Sequence, residues 1–411
     1  MRRRTTLITV ILAAILVVVL AILLFGKNYS PALSPSGAGT GQLPVVGTGN
    51  SGGSGTGSGN NGGGSGQTTS SSVALIPPQE AASGTVRFGM ISNEPTLAYF
   101  IDPQNNVTIV EPDGKIAAIL DGEPAFLSST AITDIISASF SHDGTNILVN
   151  FGDPSAPQTS VFSLGSKTWH PLPPGAISPV WSPVGDKVAY MTMKLDGSEQ
   201  LNVINLSSQN PRPVALATLR LQDVSLFWPA EGEIVIADRP SAYEKGTFII
   251  FNTATGAFSR PLVAQAGMET IWSNTSAPDA LVFTSGDGAQ GGTLSLWDSS
   301  TGNLQPLTLL TLPSKCVFNT ETAASSSYLD FYCAVPQDPG TFSGAALPDS
   351  YDQMSLFTVD TLYKVNASTG ALNDIFTPPI PVDATALRVF NGVLFFINRY
   401  DRKLYAVSLA S

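Results

Sequence analysis

From about residue 86 onward, apolar and polar residues alternate in short runs, and turn-forming residues separate these runs. The pattern is clearest in Ser137–Asn150, where two β-rich runs flank the polar break His142-Asp143-Gly144-Thr145. Alternation with a period of two on both sides of an Asp-Gly turn predicts a β-hairpin. We therefore expect this part of the chain to be built from strands.

The same hairpin phrase returns several times along the chain. Pro179–Tyr190 repeats it closely, and weaker copies follow at Phe227–Ile236 and Ile271–Ser273. The copies are 41, 47, 44 and 46 residues apart when they are aligned on one aromatic position. The aligned residues are Phe140, Trp181, Trp228, Trp272 and Phe318. A period in the forties with several short strands per repeat is typical of a β-propeller.

The second half of each repeat is equally regular. It consists of a strand, a turn with Gly or Asn, and a shorter strand, as in Thr247–Phe258, Thr293–Leu304 and Thr361–Leu372. Looser versions are Asn106–Ile116, Thr159–Trp169 and Leu201–Pro213. Together with the hairpin, this gives four strands per repeat, which is the content of one propeller blade.

The first strands of the repeats begin near residues 86, 135, 177, 222, 268, 314 and 384. This predicts an all-β fold with seven four-stranded blades, although six or eight blades remain open because the end repeats are degenerate. The last unit, Thr385–Leu409, offers only three strands. Because a long unpaired edge is avoided in proteins, we expect Val73–Ile76 or Thr85–Ile91 to supply the missing outer strand.

The sixth unit contains an insertion. Phe318 and Phe390 are 72 residues apart, and the excess lies in Pro336–Val359, between the second and third strands. Loops after second and fourth strands share one face of the ring, and long loops often carry binding sites. We therefore predict a binding face with these candidate residues: Asp153, Asp196, Glu199, Arg239, Tyr243, Asp287, Asp349, Tyr351, Asp352, Arg399 and Tyr400.

The repeated phrase, clearest in Phe140–Val149 and Trp181–Tyr190, resembles the WD-like repeat of TolB-type propellers. It also resembles the propeller domain of prolyl oligopeptidases and dipeptidyl peptidases. The resemblance covers about residues 86–411 and implies a disk that binds proteins or glycans, or that gates a fused hydrolase. The Gly-x-Ser-x-Gly pattern occurs once, at Gly49–Gly53, inside the Gly- and Ser-rich stretch and without the strand and helix that a nucleophile elbow needs, so no such hydrolase is expected. A Tol-system role is not carried over either, because an anchor and a tether occupy the place of the extra N-terminal domain.

The N-terminal region predicts a membrane anchor. Leu7–Phe25 is a run of 19 residues without a charge, which is about the length needed to cross a bilayer. Arg2, Arg3 and Arg4 precede it, so residues 1–6 are predicted to be a cytoplasmic basic tail and the propeller to be extracytoplasmic. A cleaved signal peptide is the alternative to this signal anchor.

Residues 26–72 predict a disordered linker between the membrane helix and the propeller domain, which we assign to residues 73–411. This stretch is rich in Gly and Ser, with 11 Gly among residues 47–66, and has little that could be buried. Its expected root-mean-square reach is of order 35–40 Å. The folded domain is therefore expected to sample a layer above the membrane.

Composition and charge agree with this outline. Hydrophobic residues make up 43% of the chain and charged residues 12%, with 38 Gly and 30 Pro, which suits many strands joined by tight turns. All 31 acidic residues lie after position 79. Such an acidic surface repels phosphate backbones, so a nucleic-acid partner is not expected.

No arrangement of residues indicates a cofactor, a metal site or a catalytic triad. The two histidines, His142 and His170, have no partner at ligand spacing. Loop carboxylates could still serve a glycoside hydrolase or lyase, which needs two of them; the candidates are Asp153, Asp238, Asp287 and Asp401. Asp349–Asp352 is a minor candidate for a Ca²⁺ loop.

The remaining informative residues are aromatic residues and cysteines. Trp181, Trp228 and Trp272 occupy equivalent repeat positions and are expected to pack between blades, with ligand stacking as the alternative. Cys316 and Cys333 fall on the first two strands of the sixth unit, nearly opposite each other. Outside the cytoplasm this favours a disulfide over two free thiols.

The sequence as a whole predicts a single-pass membrane protein, attached through Leu7–Phe25, whose propeller is a non-catalytic platform for an unknown protein or glycan. It assigns no oligomeric state. The alternatives are an extracytoplasmic glycoside hydrolase or lyase and an envelope assembly factor. Deleting Pro336–Val359 is expected to abolish partner capture without unfolding the ring.

Overall fold

A computed structural model describes residues 87–128, 131–221, 223–319 and 330–409. The predicted membrane helix, the linker and the candidate strand Val73–Ile76 lie outside these ranges. Within them, thirty strands form seven four-stranded antiparallel sheets and one two-stranded ribbon. No helix in the described ranges is long and apolar enough to cross a membrane. The prediction of an all-β propeller with seven blades is confirmed.

In blades 1 to 6 the strands follow one another from the innermost to the outermost position. Blade 1 contains β2 (Ala98–Ile101), β3 (Val107–Val110), β4 (Ile116–Leu120) and β5 (Glu123–Ser128). Blade 2 contains β6 (Ile135–Phe140), β7 (Asn146–Phe151), β8 (Gln158–Ser163) and β9 (Thr168–Pro171). Blade 3 contains β10 (Ile177–Trp181), β11 (Lys187–Met193), β12 (Glu199–Asn205) and β13 (Val214–Leu219).

Blades 4 to 7 repeat this arrangement. Blade 4 contains β14 (Val224–Ala230), β15 (Glu233–Asp238), β17 (Phe248–Asn252) and β18 (Phe258–Ser259), and the ribbon pairs β16 (Lys245–Gly246) with β19 (Gln265–Ala266). Blade 5 contains β20 (Glu269–Trp272), β21 (Ala280–Ser285), β22 (Gly292–Trp297) and β23 (Leu304–Pro306). Blade 6 contains β24 (Cys316–Phe318), β25 (Phe331–Pro336), β26 (Asp360–Val365) and β27 (Leu372–Phe376). Blade 7 contains β28 (Ala384–Phe390), β29 (Val393–Asn398), β30 (Lys403–Ser408) and, as its outer strand, β1 (Phe88–Met90).

The hydrophobic core lies between the blades. In one cluster, Ala189 and Met191 of β11 pack against Ile234 and Ile236 of β15, so the cluster joins blade 3 to blade 4. The second strands are buried along most of their length because neighbouring blades cover both of their faces. The outermost strand β9, by contrast, is largely exposed. Each blade therefore depends on the next one for the burial of its apolar side chains.

The two ends of the described chain close the ring. β1 pairs antiparallel with β30, with Phe88 opposite Val407 and Met90 opposite Tyr405. The Phe88 ring also lies 5.6 Å from the Tyr405 ring, centroid to centroid. The prediction that Thr85–Ile91 supplies the missing outer strand is confirmed.

The same pairing corrects the assignment of the first blade. The strand near residue 86 was predicted to open blade 1, but it belongs to blade 7, and blade 1 begins at Ala98. Asn106–Ile116 consequently spans the second and third strands of its blade, where the third and fourth were expected. The closing strand has the same local pattern as any other strand, so only the long-range pairing reveals its place.

The repeated phrase forms the tight turn between the two innermost strands of a blade. In blade 2, the Asp143 carboxylate accepts hydrogen bonds from the Ser141 hydroxyl (2.7 Å) and the Thr145 amide (3.1 Å). Gly144 has a φ of 72°, and a Cβ there would lie 2.2 Å from the Phe100 ring of blade 1. The glycine is therefore required by both the turn and the contact with the preceding blade.

A disulfide links the two innermost strands of blade 6. Cys316 and Cys333 are register partners in β24 and β25, and their sulfur atoms are bonded. The predicted disulfide is confirmed. Because it closes a loop with a sequence separation of 17, the chain-entropy model gives it a stabilisation of about 3 kcal/mol.

The insertion lies between β25 and β26, as predicted, but it is more ordered than a simple loop. It contains two short helices, α1 (Pro339–Ser343) and α2 (Asp349–Asp352). Asp349–Asp352 is thus a helix and was wrongly predicted to be a loop. Phe342, Leu347 and Tyr351 of the insertion are buried in the core cluster that blades 5 and 6 share. Their burial explains why the segment folds.

We expect Phe88→Ala to weaken ring closure. The substitution removes a half-buried ring that lies near Phe376 and Tyr405, so the free energy of unfolding should fall by about 1–3 kcal/mol. The matched control is Phe126→Ala, in the outer strand of blade 1, where 48% of the side chain is exposed and the loss should stay within about 0.5 kcal/mol. Urea unfolding measures both changes, and equal losses would contradict a special role for β1.

Candidate functional site

The insertion face of the ring carries the loops after the second and fourth strands, including residues 337–359. The insertion starts on blade 6 but reaches across this face. The Asp349 carboxylate accepts a hydrogen bond from the Ala242 amide of blade 4 (2.5 Å), and the Gly291 amide of blade 5 donates to the Ala345 carbonyl (2.9 Å). On the other side, Arg399 of blade 7 donates to the Tyr351 carbonyl (2.7 Å). The insertion therefore contacts loops of three other blades.

A buried polar network links the insertion to blades 6 and 7. The Lys315 side chain is 0% exposed, and its Nζ donates to Asp360 Oδ2 (2.8 Å) and Asp383 Oδ1 (2.5 Å). The same ammonium also donates to the hydroxyls of Tyr351 (3.2 Å) and Thr358 (3.1 Å), which both belong to the insertion. One buried cation thus joins the insertion to the innermost strands of blades 6 and 7.

The charges in this network balance. Arg399 Nη1 pairs with Asp383 Oδ2 at 3.0 Å, so two cations face the two carboxylates of Asp360 and Asp383. Burial alone would lower the pKa of Lys315, but the neighbouring Asp360 carboxylate, with Tyr351 and Asp383, raises it above its ordinary value. The raised pKa favours the charged form of Lys315. Its role in this network is structural.

Three of the predicted binding residues are largely buried. Tyr351 and Arg399 belong to the network under the insertion. Glu199 is 1% exposed, and burial followed by the charge of Asp223 raises its pKa. The sequence predicts these residues as binding candidates only because they lie in loops of the predicted binding face. The structure places their side chains inward.

The other candidates lie on the insertion face with their side chains at least partly accessible. Asp153 and Asp196 each accept hydrogen bonds within their own turns, from Ser155 and Ser198. Arg239 pairs with Asp223 at 3.4 Å, and Asp349 accepts from Ser241 and Ala242. Asp287 lies in a 3-10 helix, Asp352 ends α2, and Tyr243 and Tyr400 are exposed.

Exposed apolar side chains are concentrated in the loops of the insertion face. Leu195 is fully exposed, Tyr243 is 73% exposed and Val263 is 76% exposed. Met354 of the insertion and Tyr400 of blade 7 are also exposed, and Tyr400 stacks on Phe357 of the insertion at 5.4 Å. These residues come from blades 3, 4, 6 and 7. The face therefore presents apolar loop tips around the insertion.

An acidic pair lies at the edge of the insertion. Glu269, at the start of β20, accepts a hydrogen bond from the Ser314 amide (2.9 Å), while its Oε2 is shielded and finds no hydrogen-bond partner among the residues that the structure describes. Burial, together with the charge of Asp352, raises the pKa of Glu269 to about 7. A cavity of about 380 Å³ opens nearby, between Asp352, Met354 and Arg402. Glu269 is thus a carboxyl group that titrates near neutral pH.

The described residues hold no group of three His, Cys, Asp or Glu side chains that could bind a metal ion. The Asp349 carboxylate, which was considered as a Ca²⁺ ligand, is occupied by hydrogen bonds to blade 4. Among the loop carboxylates weighed for hydrolysis, Asp238 accepts from the Thr247 amide and Asp401 from Tyr405. They belong to different blades.

The opposite face, which we call the turn face, carries the hairpin turns and the mouth of the central channel. A cavity of about 540 Å³ opens there, lined by Phe100, Trp272, Phe318 and Phe390. A second cavity, of about 280 Å³, shares Trp272 with the first. The aromatic residues that mark the repeats therefore also form the channel wall.

Those aromatic residues do pack between blades, as predicted. Trp181 is buried and its indole donates to the Ser139 carbonyl of blade 2 (3.1 Å). The Trp272 ring lies edge-on to Phe248 of blade 4 at 5.0 Å. Trp272 is only half-buried, however, so its remaining surface faces the channel mouth.

Sequence reasoning missed Lys315, Asp383, Glu269 and Arg388. A signal existed for the first two, because Lys315 is the only charged residue in 307–318 and Asp383 the only one in 375–387. A lone charge in a long apolar run predicts a buried, paired group. Glu269 and Arg388 carried no such signal, since the environment of Glu269 depends on Ser314 and Asp352 and that of Arg388 on the channel mouth.

Comparisons with known proteins assign no family to this chain. No family model matches the sequence, and no curated protein matches it. Among solved structures, TolB from Acinetobacter baumannii has 13% identity and a TM-score of 0.40, with 76% of this chain and 63% of TolB covered. The chain thus spans less than two thirds of TolB.

Two further solved structures are similar at the same level. A prolyl endopeptidase has 10% identity and a TM-score of 0.49, with 75% of this chain and 47% of that chain covered. An oligogalacturonate lyase solved with manganese has 10% identity and a TM-score of 0.48, with 80% and 99% covered. These likenesses include enzymes and a non-enzyme and assign no activity to this chain.

We expect Lys315→Met to destabilise the protein strongly. The substitution leaves Asp360 and Asp383 buried with Arg399 as their remaining cation, so the free energy of unfolding should fall by about 3–5 kcal/mol. The control is Lys187→Met, which breaks an exposed pair with Glu231 (3.5 Å) and should cost less than about 1 kcal/mol. Chemical denaturation distinguishes the two, and a similar small loss for both would disprove the role of the network.

We also expect a pH-dependent effect of Glu269→Gln. Because the pKa of Glu269 is raised to about 7 in the folded state, the folded protein binds an extra proton between its unfolded-state pKa and 7. Stability from this group is therefore highest at low pH and falls as the pH rises through that window. Glutamine removes this loss. The thermal midpoint of the variant relative to wild type should therefore be higher at pH 8 than at pH 5, by about 2 °C or more. A gain that does not change with pH would contradict the raised pKa.

Proposed function

We propose that the chain is a membrane-anchored, extracytoplasmic platform that binds a protein partner through its insertion face and performs no catalysis there. The observation that carries this proposal is the group of exposed apolar loop tips, above all Leu195, Tyr243 and Tyr400. Exposed apolar surface that is concentrated on one face marks interaction sites on soluble proteins. Aromatic anchors of this kind are also enriched at protein interfaces.

Rigidity of the insertion supports the same proposal. The Lys315 network and the buried side chains Phe342 and Leu347 fix the insertion on the ring. A surface that is already ordered loses less conformational entropy when it binds. The insertion can therefore serve as a preformed binding surface on this face.

The proposed location follows from the N-terminal sequence. Leu7–Phe25 would anchor the protein, and residues 26–72 would let the propeller move within about 35–40 Å of the bilayer. The Cys316–Cys333 disulfide suits an oxidising compartment outside the cytoplasm. An envelope assembly factor would fit the same geometry and would differ only in its partner.

Deletion of Pro336–Val359 does not test partner capture by the insertion face alone. Phe342, Leu347 and Tyr351 belong to the core, and Lys315 would lose two of its hydroxyl partners. The deletion should therefore unfold part of the ring, contrary to the expectation from sequence. Substitutions at exposed positions test the face without this effect.

We expect the triple variant Leu195→Ser, Tyr243→Ser, Tyr400→Ser to lose its partner. Loss of two aromatic anchors and one aliphatic anchor should weaken binding at least about tenfold. Full-length protein is cross-linked in its native membrane, and cross-linked proteins are quantified by mass spectrometry. The control is Val184→Ser, an exposed apolar residue in a hairpin turn of the other face, which should capture as wild type does.

The result to be compared is the set of proteins enriched by wild type and control but lost from the triple variant. If all three forms capture the same proteins in equal amounts, the insertion face is not the partner surface. If the triple variant alone loses a protein while its thermal midpoint is unchanged, the proposal stands.

One observation favours the enzyme alternative. The pKa of Glu269 is raised to about 7, in part by the charge of Asp352. Glycosidases use two carboxyl groups with separated pKa values in the same way. A panel of glycans incubated with the full-length protein decides between the two functions. Turnover that is abolished by Glu269→Gln would replace the binding proposal with a hydrolase or lyase.

A further inference from the structure

We propose that the channel mouth on the turn face binds a small organic anion, a carboxylate attached to a flat apolar body, with Arg388 as its charge partner. This site lies on the opposite side of the ring from the proposed partner surface. It involves none of the residues predicted from sequence to bind a ligand, apart from the aromatic positions of the repeats.

The size of the cavity suits such a ligand. The larger part measures about 540 Å³, and the adjoining part of about 280 Å³ shares His142, Trp272, Asn274 and Arg388 with it. Cavities of about 300–1,000 Å³ are typical of small-molecule sites. The two parts together form one funnel at the mouth of the channel.

Arg388 is a cation without a carboxylate partner. It lies on β28, the innermost strand of blade 7, and is exposed to the channel. Among the described residues no acidic side chain forms an ion pair with Arg388, and its guanidinium lies over the Phe100 ring, 5.5 Å from the centroid. An arginine among aromatic side chains has lost part of its hydration, so an anion gains more there than in open solvent.

The acidic residue in the cavity wall does not neutralise Arg388. Asp143 lines the larger part, but its carboxylate accepts hydrogen bonds from Ser141 and from both the amide and the hydroxyl of Thr145. It is thus held in its own turn. His142 and Asn274 add donors beside Arg388, since an imidazole and a side-chain amide can each donate to a carboxylate oxygen.

The apolar part of the ligand follows from the remaining wall. Phe100, Trp272 and Phe390 are each half-buried and line the larger cavity. Aromatic side chains that keep accessible surface next to a charged group favour a ligand with an aromatic ring next to an anionic group. A simple inorganic anion would leave this surface in water.

The test is calorimetric titration of the full-length protein with three probes: naphthoate, the uncharged naphthamide and acetate. Naphthoate should bind, and naphthamide and acetate should each bind at least tenfold more weakly, because each lacks one half of the ligand. Arg388→Gln should weaken naphthoate binding roughly tenfold to a hundredfold. Arg388→Lys keeps the charge but loses the planar guanidinium, so its affinity for naphthoate should lie between those of wild type and Arg388→Gln.

The control variant is Arg239→Gln, which removes an exposed arginine from the insertion face and should bind naphthoate as wild type does. Arg388 is exposed and has no ion pair among the described residues, so Arg388→Gln should keep its thermal midpoint within about 2 °C. The proposal is overturned if naphthoate does not bind, if Arg388→Gln binds it equally, or if naphthamide binds as tightly. None of these outcomes bears on the insertion face.

Discussion

Ring closure by β1 is the constraint on which the rest of the structure depends. Because the core lies between blades, each blade needs a neighbour on both sides to bury its apolar residues. A gap at any point would expose the sides of two blades. Three residues, Phe88–Met90, complete blade 7 by pairing with β30, and the channel and both faces exist only because the circle is complete.

Within this apolar ring, the Lys315 network buries two acidic and two basic side chains together. Burying four charged groups is costly, and the cost is offset only because Lys315 and Arg399 are paired with Asp360 and Asp383. Besides pairing these opposite charges, the network also forms hydrogen bonds with the hydroxyls of Tyr351 and Thr358. It thereby makes the position of the insertion a consequence of the core of blades 6 and 7.

The sequence predicted the repeat well because the hairpin phrase is a local signal. Spacing between Phe140, Trp181, Trp228 and Trp272 is enough to define blades, and the position of Pro336–Val359 follows from the one interval that is too long. The disulfide was predictable for the same reason, as Cys316 and Cys333 lie on consecutive strands.

Features that depend on distant parts of the chain were missed. The first blade was placed one strand too early because β1 finds its partner some 320 residues away, at Val407. The helices of the insertion are too short to be signalled by periodicity and form because Phe342 and Tyr351 are buried. Likewise, Arg388 looks like any strand residue until seven innermost strands surround it.

The closing strand also determines how the domain responds to mechanical force. Tension transmitted along the backbone from residues that precede Arg87 reaches the folded domain first at β1, a strand of three residues. Its resistance comes from the ladder to β30, the hydrogen bond from the Arg87 amide to Ser408 Oγ (2.7 Å) and the packing of Phe88. Tension would therefore act first on this short outer strand, while the packing of Phe395 and Leu404 of blade 7 against blade 1 still joins the two ends of the ring.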